Sequence, residues 1–360
     1  MLPSDGRFGC GPSKVRPAAV EALAAAGTWL GTSHRQAPVR QVVGKIRSGL
    51  RELFGLPDGW EVVLGNGGST TFWDVATFGL IERQSEHLVF GEFSSKFAEA
   101  SAAAPHLDAP TITSSVPGTH PAIPAASNAD VVALTHNETS TGVSMVLRRP
   151  AGDALVVVDA TSGSGGINWN PADVDVYYFA PQKCFSSDGG LFVALCSPRA
   201  IERIERTAAS GRWTPASLSL KIALDNSRLD QTHNTPALAT LFLLDNQIAW
   251  MLANGGMAFT TARCAGSSRT LYTWAETRPG VSPFVADHAQ RSPVVVTLDL
   301  EGVAADDVLA ALRANGIVDT DGYRKLGRNQ LRVGVFPSVE PTDVEALTHC
   351  FDHVLDQLAT

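Results

Sequence analysis

Lysine is the scarce charge in this chain: only six of its 28 basic residues are lysine. Cysteine is sparse as well. Cys10, Cys184, Cys196, Cys264 and Cys350 are odd in number, scattered, and form no C-x-x-C pair. That pattern argues against a disulfide framework or a zinc site and for reduced thiols in a cytosol. No apolar run is long enough to span a bilayer, and Met1 to Arg7 lack the apolar core of a signal peptide. A cytoplasmic location is therefore expected. There is no long basic run, and a net charge of −8 speaks against non-specific nucleic-acid binding. Internal repeats, low-complexity tracts and a G-x-S-x-G elbow are all missing, so neither a solenoid nor a serine hydrolase of that type is indicated.

What is there points to a large α/β protein. A chain of 360 residues exceeds one ordinary core, so two domains are expected. Short apolar runs at Glu61 to Leu64, His87 to Phe90, Val131 to Leu134, Leu155 to Val158, Val176 to Phe179 and Gly190 to Leu195 read as strands. Their continuous hydrophobicity predicts cover on both faces, as in a mainly parallel sheet. Helices are predicted over Ala18 to Ala26, Val39 to Phe54, Thr70 to Arg83 and Ala239 to Ala253. Asn254-Gly255-Gly256 then reads as a helix stop and domain boundary. Beyond it, strands at Val294 to Leu300 and Leu331 to Phe336 and helices at Ala304 to Ala314 and Thr342 to Leu358 suffice for a smaller α/β domain. The expected division is 1–255 and 256–360, with residues 1–14 an arm. Ser101 to Ser127, rich in Pro, Ser, Thr and Ala, reads as an irregular excursion.

Two apolar runs end abruptly in one ionisable residue each. Asp159 closes Leu155-Val156-Val157-Val158, and Lys183 follows Val176 to Phe179 after Ala180-Pro181-Gln182. A carboxylate and an amine at the carboxyl ends of neighbouring buried strands suit pyridoxal phosphate. The amine would meet its aldehyde carbon and the carboxylate its ring nitrogen. Lys45 and Lys96 lie in helix-like polar segments and Lys325 in an arginine-rich loop. Only Lys183 follows a strongly apolar strand, where burial lowers an amine pKa toward imine formation. Asp159 has an alternative use as a cap of the turn Thr161 to Gly166.

Three further groups frame this pair. Gly65-Asn66-Gly67-Gly68-Ser69-Thr70 joins a strand to a helix and suits a phosphate, although a tight turn without a ligand accounts for it as well. His136 to Gly142 follows the strand Val131 to Leu134, at the sheet edge where open α/β folds bind ligands. Ser33-His34-Arg35 and Tyr323 to Arg332 concentrate cations in an acidic chain. Arg332, within the apolar Leu331 to Phe336, needs a partner or a ligand.

Together, Gly9-Cys10-Gly11-Pro12-Ser13, Ser33-His34-Arg35, Asn137-Glu138-Thr139, Asp159, Gln182-Lys183, Asn234-Thr235-Pro236 and Arg332 resemble the phosphoserine aminotransferase family, nearest its actinobacterial branch. The resemblance runs from near the N-terminus to the final helix. It implies a class V, fold-type I pyridoxal-phosphate enzyme with a large, mainly parallel mixed sheet and a smaller C-terminal α/β domain. It further implies that Lys183 carries the cofactor and moves a proton, Asp159 meets the ring nitrogen, and Thr139 bonds the ring oxygen. Ser69, Thr70 and Gln182 would hold the phosphate, joined by Asn234 and Thr235 from the other subunit of a homodimer. Arg332 would grip the substrate α-carboxylate, and His34, Arg35 and the neighbour's Arg324 a distal phosphate or γ-carboxylate. Phe93 stands where many members stack a tryptophan. Tyr323-Arg324 stands where other branches carry His-Arg, which leaves Arg328 an alternative to Arg324. The activity implied converts L-glutamate and 3-phosphonooxypyruvate to 2-oxoglutarate and O-phospho-L-serine, in L-serine biosynthesis. The family often acts on 4-phosphohydroxythreonine too, in vitamin B6 synthesis. Other class V aminotransferases, of the serine–pyruvate or alanine–glyoxylate type, and a non-catalytic binding protein are the alternatives.

Overall fold

A computed structural model describes residues 2–358. Seven strands make the main sheet: β1 (Glu61–Asn66), β2 (Ser85–Val89), β3 (Thr111–Ser114), β4 (Val131–Thr135), β5 (Leu155–Asp159), β6 (Val176–Phe179) and β7 (Leu191–Cys196). Their order across the sheet is β1-β7-β6-β5-β4-β2-β3. β7 runs antiparallel to both of its neighbours, and the remaining pairings are parallel. Hydrophobic runs alone carry no strand direction, so the lone reversal was invisible in the sequence. β3 also corrects the expectation of an irregular 101–127. Its alternation of threonine with Ile112 suits an edge strand, and all four of its residues are exposed.

Both faces of the sheet are covered, as continuous apolar strands require. Val156, Val158, Tyr177 and Phe179 point to one face, where α2 (Ala37–Phe54) and α7 (Leu238–Ala253) pack through Ile46, Leu50, Leu244 and Ile248. Val157, Tyr178 and Phe192 point to the other. There α3 (Ser69–Gly79), α4 (Glu92–Ala103), α5 (Pro198–Ala209) and α6 (Leu220–Arg228) close a second core around Phe72 and Ile204. Phe72 stacks on Tyr178 with centroids 4.2 Å apart. Such a pair adds about 1 kcal/mol beyond area burial and fixes α3 over the centre of the sheet. A short α1 (Pro17–Ala25) precedes α2. α3 ends at Gly79, four residues before the predicted stop at Arg83, because Leu80 and Ile81 turn into the core.

After Asn254 and Gly255, α8 (Gly256–Thr277) leads to three antiparallel strands, β8 (Val281–Pro283), β9 (Val295–Leu300) and β10 (Gln330–Gly334). With α9 (Ala305–Ala314) and α10 (Pro341–Leu358) they enclose their own core. The 22-residue α8 escaped the sequence reading because its many Thr, Ser and Gly residues blur an apolar stripe. The N-terminal arm returns to this unit. Phe8 lies in its core, the Val318 N–H donates to the Gly6 carbonyl at 2.8 Å, and the Gly334 N–H to the Phe8 carbonyl at 2.8 Å. Gly334 permits that approach, since a Cβ there would fall 2.5 Å from the Gly9 carbonyl oxygen. Among the described residues no helix is long and apolar enough to cross a membrane.

Candidate active site

β1, β4, β5 and β6 share one direction, so their carboxyl ends deliver the Gly67-Gly68 turn, Asn137-Glu138-Thr139, Asp159 and Lys183 to one edge of the sheet. A cavity there is lined by Gly68, Ser69, Thr70, Trp73, Phe93, Asn137, Thr139, Asp159, Thr161, Gln182 and Lys183. Seven of the predicted site residues, Ser69, Thr70, Phe93, Thr139, Asp159, Gln182 and Lys183, thus meet in one place.

The Lys183 amine donates to the Cys10 carbonyl at 2.8 Å. Its surface is only partly covered, yet protein surrounds the amine closely enough for lost hydration to push its pKa down to about 8, and the Arg332 charge adds to that effect. A backbone-only neighbour makes the approach possible. Gly11 has φ of +145°, and a Cβ on it would stand 1.5 Å from the lysine nitrogen.

Asp159 is buried and accepts three hydrogen bonds. Oδ1 takes the Thr161 N–H at 2.9 Å and the Thr161 hydroxyl at 2.5 Å, and Oδ2 takes the Trp73 indole N–H at 3.2 Å. Burial raises its pKa, and these donors work against the rise. Asn137 donates to Ser162 Oγ at 2.8 Å and Thr139 stands the same distance from it, which orders the strand-to-turn segment beside the carboxylate. Glu138, fully buried, turns away from the cavity. Its carboxylate accepts from Phe93 N, Ser94 N and Ser140 Oγ at 3.1, 2.9 and 2.7 Å, which anchors the first turn of α4 and thereby Phe93.

The residues fit pyridoxal phosphate on several independent points. No side chain caps the start of α3, and a Cβ at Gly68 would meet nothing within 4 Å, so the first-turn N–H groups face an open slot. Gln182 Oε1 is buried without a partner. Asp159 retains acceptor capacity, Lys183 presents an amine of lowered pKa, and Phe93 offers an aromatic face.

Arg332 lies on β10, with Nη1 donating to the Thr139 carbonyl at 3.0 Å and its guanidinium 5.3 Å from the Tyr323 ring centroid. Tyr323 in turn meets Phe93 edge-on, with centroids 6.0 Å apart. Arg328 is taken by Asp299, with Nε on Oδ1 at 3.1 Å and Nη2 on Oδ2 at 2.5 Å. Arg324 is exposed and makes no ion pair among the described residues, which favours it over Arg328 as a ligand group. His34, Arg35, Asn234 and Thr235 do not reach the Lys183 cavity of their own chain. They gather elsewhere: His34 Nδ1 stands 3.2 Å from Thr235 Oγ1, Asn66 bridges to Asn234 and Thr235, and Arg35 donates to Gln231 at 3.0 Å. His34 Nε2 is buried and unpartnered, and burial, with Arg35 beside it, lowers its pKa.

Sequence reasoning missed Trp73, Thr161 and the Cys10 carbonyl. Trp73 had a signal, since it follows Ser69 by four positions on the helix that opens at the glycine turn and so shares its face. The lysine's bond to the arm had none.

Comparison with known proteins agrees with this geometry. Residues 111–331 match the aminotransferase class-V family model. A phosphoserine aminotransferase of Nocardioides sp. is 58% identical over 99% of this chain and 97% of its own, and one of Rhodococcus jostii is 56% identical over 99% and 97%. The crystal structure of a phosphoserine aminotransferase from Cytophaga hutchinsonii superposes with a TM-score of 0.90 at 25% identity, covering 97% of this chain and 99% of that one. A Bacillus subtilis ureidoglycine–glyoxylate aminotransferase shares the fold, with a TM-score of 0.83 at 20% identity over 100% and 95%. The arrangement of Lys183 and Asp159 at the sheet edge and the full-length identity agree, and the chain belongs to the phosphoserine aminotransferase family of class V aminotransferases.

Proposed function

We propose that this protein is a phosphoserine aminotransferase that moves the amino group of L-glutamate to 3-phosphonooxypyruvate, giving 2-oxoglutarate and O-phospho-L-serine. One observation carries the substrate reading: among the described residues Arg332, reaching the Thr139 carbonyl beside the Lys183 cavity, bonds only to backbone carbonyls and has no ion pair, and Arg35 and Arg324 have none either. Substrates with an α-carboxylate and a second anionic group supply those missing partners. The cytoplasm is the compartment that suits Cys10, Cys184, Cys196 and Cys264, which form no disulfide among the described residues.

Bound pyridoxal phosphate supplies an electron-accepting ring that stabilises the charge left when a substrate Cα loses its proton. The chain's own residues do the rest. Lys183 Nζ would be the group that holds the cofactor's aldehyde carbon, and its amine, of lowered pKa, would serve as general base and acid for the substrate Cα proton. A pKa near 8 suits both roles. Asp159 would keep the ring nitrogen protonated, and Thr139, on turning its hydroxyl from Ser162 Oγ, would donate to the ring oxygen. Ser69, Thr70 and Gln182 would hold the phosphate, and Phe93 would cover a ring face. Arg332 grips the α-carboxylate and so aligns the Cα–H bond.

The separate cluster of His34, Arg35, Asn234 and Thr235 supports a homodimer in which each subunit completes its partner's site. There Asn234 and Thr235 add to the phosphate, and His34 and Arg35, with Arg324, take the distal anion. We assign residues 1–255 to a large cofactor-binding domain and 256–360 to a smaller one on which the arm packs.

The test is a half-reaction. L-glutamate should bleach the visible band of the lysine-bound cofactor, and 3-phosphonooxypyruvate should restore it. Failure to return, or equal return with pyruvate, would overturn the substrate assignment.

A further inference from the structure

The Asp159 carboxylate has four lone-pair directions, and the chain fills three of them. Both on Oδ1 are taken by Thr161, through its N–H at 2.9 Å and its hydroxyl at 2.5 Å. One on Oδ2 is taken by the Trp73 indole at 3.2 Å. The Thr161 hydroxyl also stands 2.5 Å from Ser69 Oγ. A carboxylate only accepts, so Thr161 spends its single proton on Asp159 and receives one from Ser69. Ser69 and Trp73 lie one turn apart on α3 and face the same way. Helix α3 therefore touches the slot for an anion with its first turn and the carboxylate with its second.

We propose that Trp73 and Thr161 are positioning residues that fix Asp159 so that Oδ2 alone, through its remaining lone pair, receives the proton of the cofactor's ring nitrogen. This rests on the cofactor reading given above. No cation stands within ion-pair distance of Asp159 among the described residues, so its charge is held by donors instead of a salt bridge. The titratable groups around it are Tyr177 and Tyr178 on β6 and Lys183 beyond. The buried Tyr178 hydroxyl lies close enough to Asp159 to interact with its carboxylate, but it makes no well-aligned hydrogen bond there, unlike Trp73. Because Trp73 and Ser69 share α3, the helix also fixes the span from the phosphate end to the ring nitrogen.

The sign of the effect follows from proton sharing. Removing a donor makes the carboxylate more basic, draws the shared proton from the ring toward Oδ2, and leaves the ring less electron-poor. The imine conjugated to that ring then holds its own proton more tightly. In Trp73→Phe and Thr161→Val, the pH midpoint of the visible absorption band should move upward, and the cofactor dissociation constant should rise about tenfold. Thr161→Ser keeps the hydroxyl and should restore both.

The experiment titrates absorbance against pH and measures cofactor dissociation by dialysis, with thermal unfolding of the cofactor-free proteins as a check on folding. Thr161→Val is nearly isosteric, so it answers the question even where Trp73→Phe unfolds. Wild-type titration and affinity in both Thr161→Val and a folded Trp73→Phe would overturn the proposal, as would a Thr161→Ser variant no better than Thr161→Val. A wild-type protein that binds no pyridoxal phosphate would instead overturn the cofactor reading beneath it.

Discussion

Two buried aspartates stand at opposite edges of one sheet, and they are finished differently. Asp175, just before β6, is fully buried and pairs with Arg149 at 2.6 Å and Arg199 at 3.3 Å. It also accepts from the Val156 N–H at 2.9 Å and the Ser197 hydroxyl at 3.0 Å. Asp159, at the far end of β5, meets three neutral donors and no cation. The same contrast holds for cations. Arg149 and Arg199 are consumed by Asp175, whereas Lys183 and Arg332 bond only to backbone carbonyls. One edge is electrostatically closed and the other holds unmatched charge of both signs. Burying unmatched charge costs stability, and folded proteins retain it where a ligand completes it.

Exchanging the two aspartates for asparagine should split the comparison most widely. Asp159→Asn should lower kcat on the order of a hundred- to a thousandfold with little change in unfolding temperature. Asp175→Asn should leave kcat near wild type and cost roughly 2 kcal/mol of stability, less than a fully buried pair because Arg199 reaches water. The reverse pattern in activity assays and thermal melts would erase the distinction. Arg332→Gln comes next, with kcat/KM for L-glutamate falling about a hundredfold and most of the loss in KM. A loss confined to kcat would mean that Arg332 orders the backbone at Thr139 and grips no carboxylate.

Gly11→Ala should have a smaller effect. It pushes the lysine amine off the Cys10 carbonyl and asks a Cβ to adopt φ of +145°. An approximately tenfold loss of kcat is expected, with Lys183 still able to capture cofactor. Smallest is the pH effect. Only the neutral amine attacks an aldehyde, so the rate of cofactor capture should rise with pH through about 8. Because the folded lysine releases its proton before the unfolded one, the cofactor-free protein should gain stability between about 8 and 10.5. Asp175→Asn should leave that capture profile in place, and a midpoint near 10.5 would show Lys183 to be fully hydrated.

The legible part of the site was the part written in contiguous residues. Asp159 and Lys183 stand out because a run such as Val156-Val157-Val158 tolerates no charge without a reason. Ser69 and Thr70 stand out because glycines precede them at a strand-to-helix turn. The Trp73 bond to Asp159 spans 86 residues and the Lys183 bond to Cys10 spans 173, distances over which hydrophobic periodicity is silent. The fold shows the same limit. Six of the main strands were visible as apolar runs, while the reversal of β7, the polar edge strand β3 and the weakly amphipathic α8 were not. Arg35, Asn234 and Thr235 could be named from motif likeness, but no pattern within one chain says which cavity they serve.

The arm over Lys183 has a consequence for how the protein is made. Its residues precede Lys183 in the chain, yet the groups that fasten it, at Val318 and Gly334, follow the lysine at a long separation. The covering of the amine therefore waits on segments made well after the lysine, and closing so long a loop adds only logarithmically to its entropic cost. A nascent chain that already carries Lys183 still lacks the fastened arm, so the lysine acquires its final surroundings only after Val318 and Gly334 have been made.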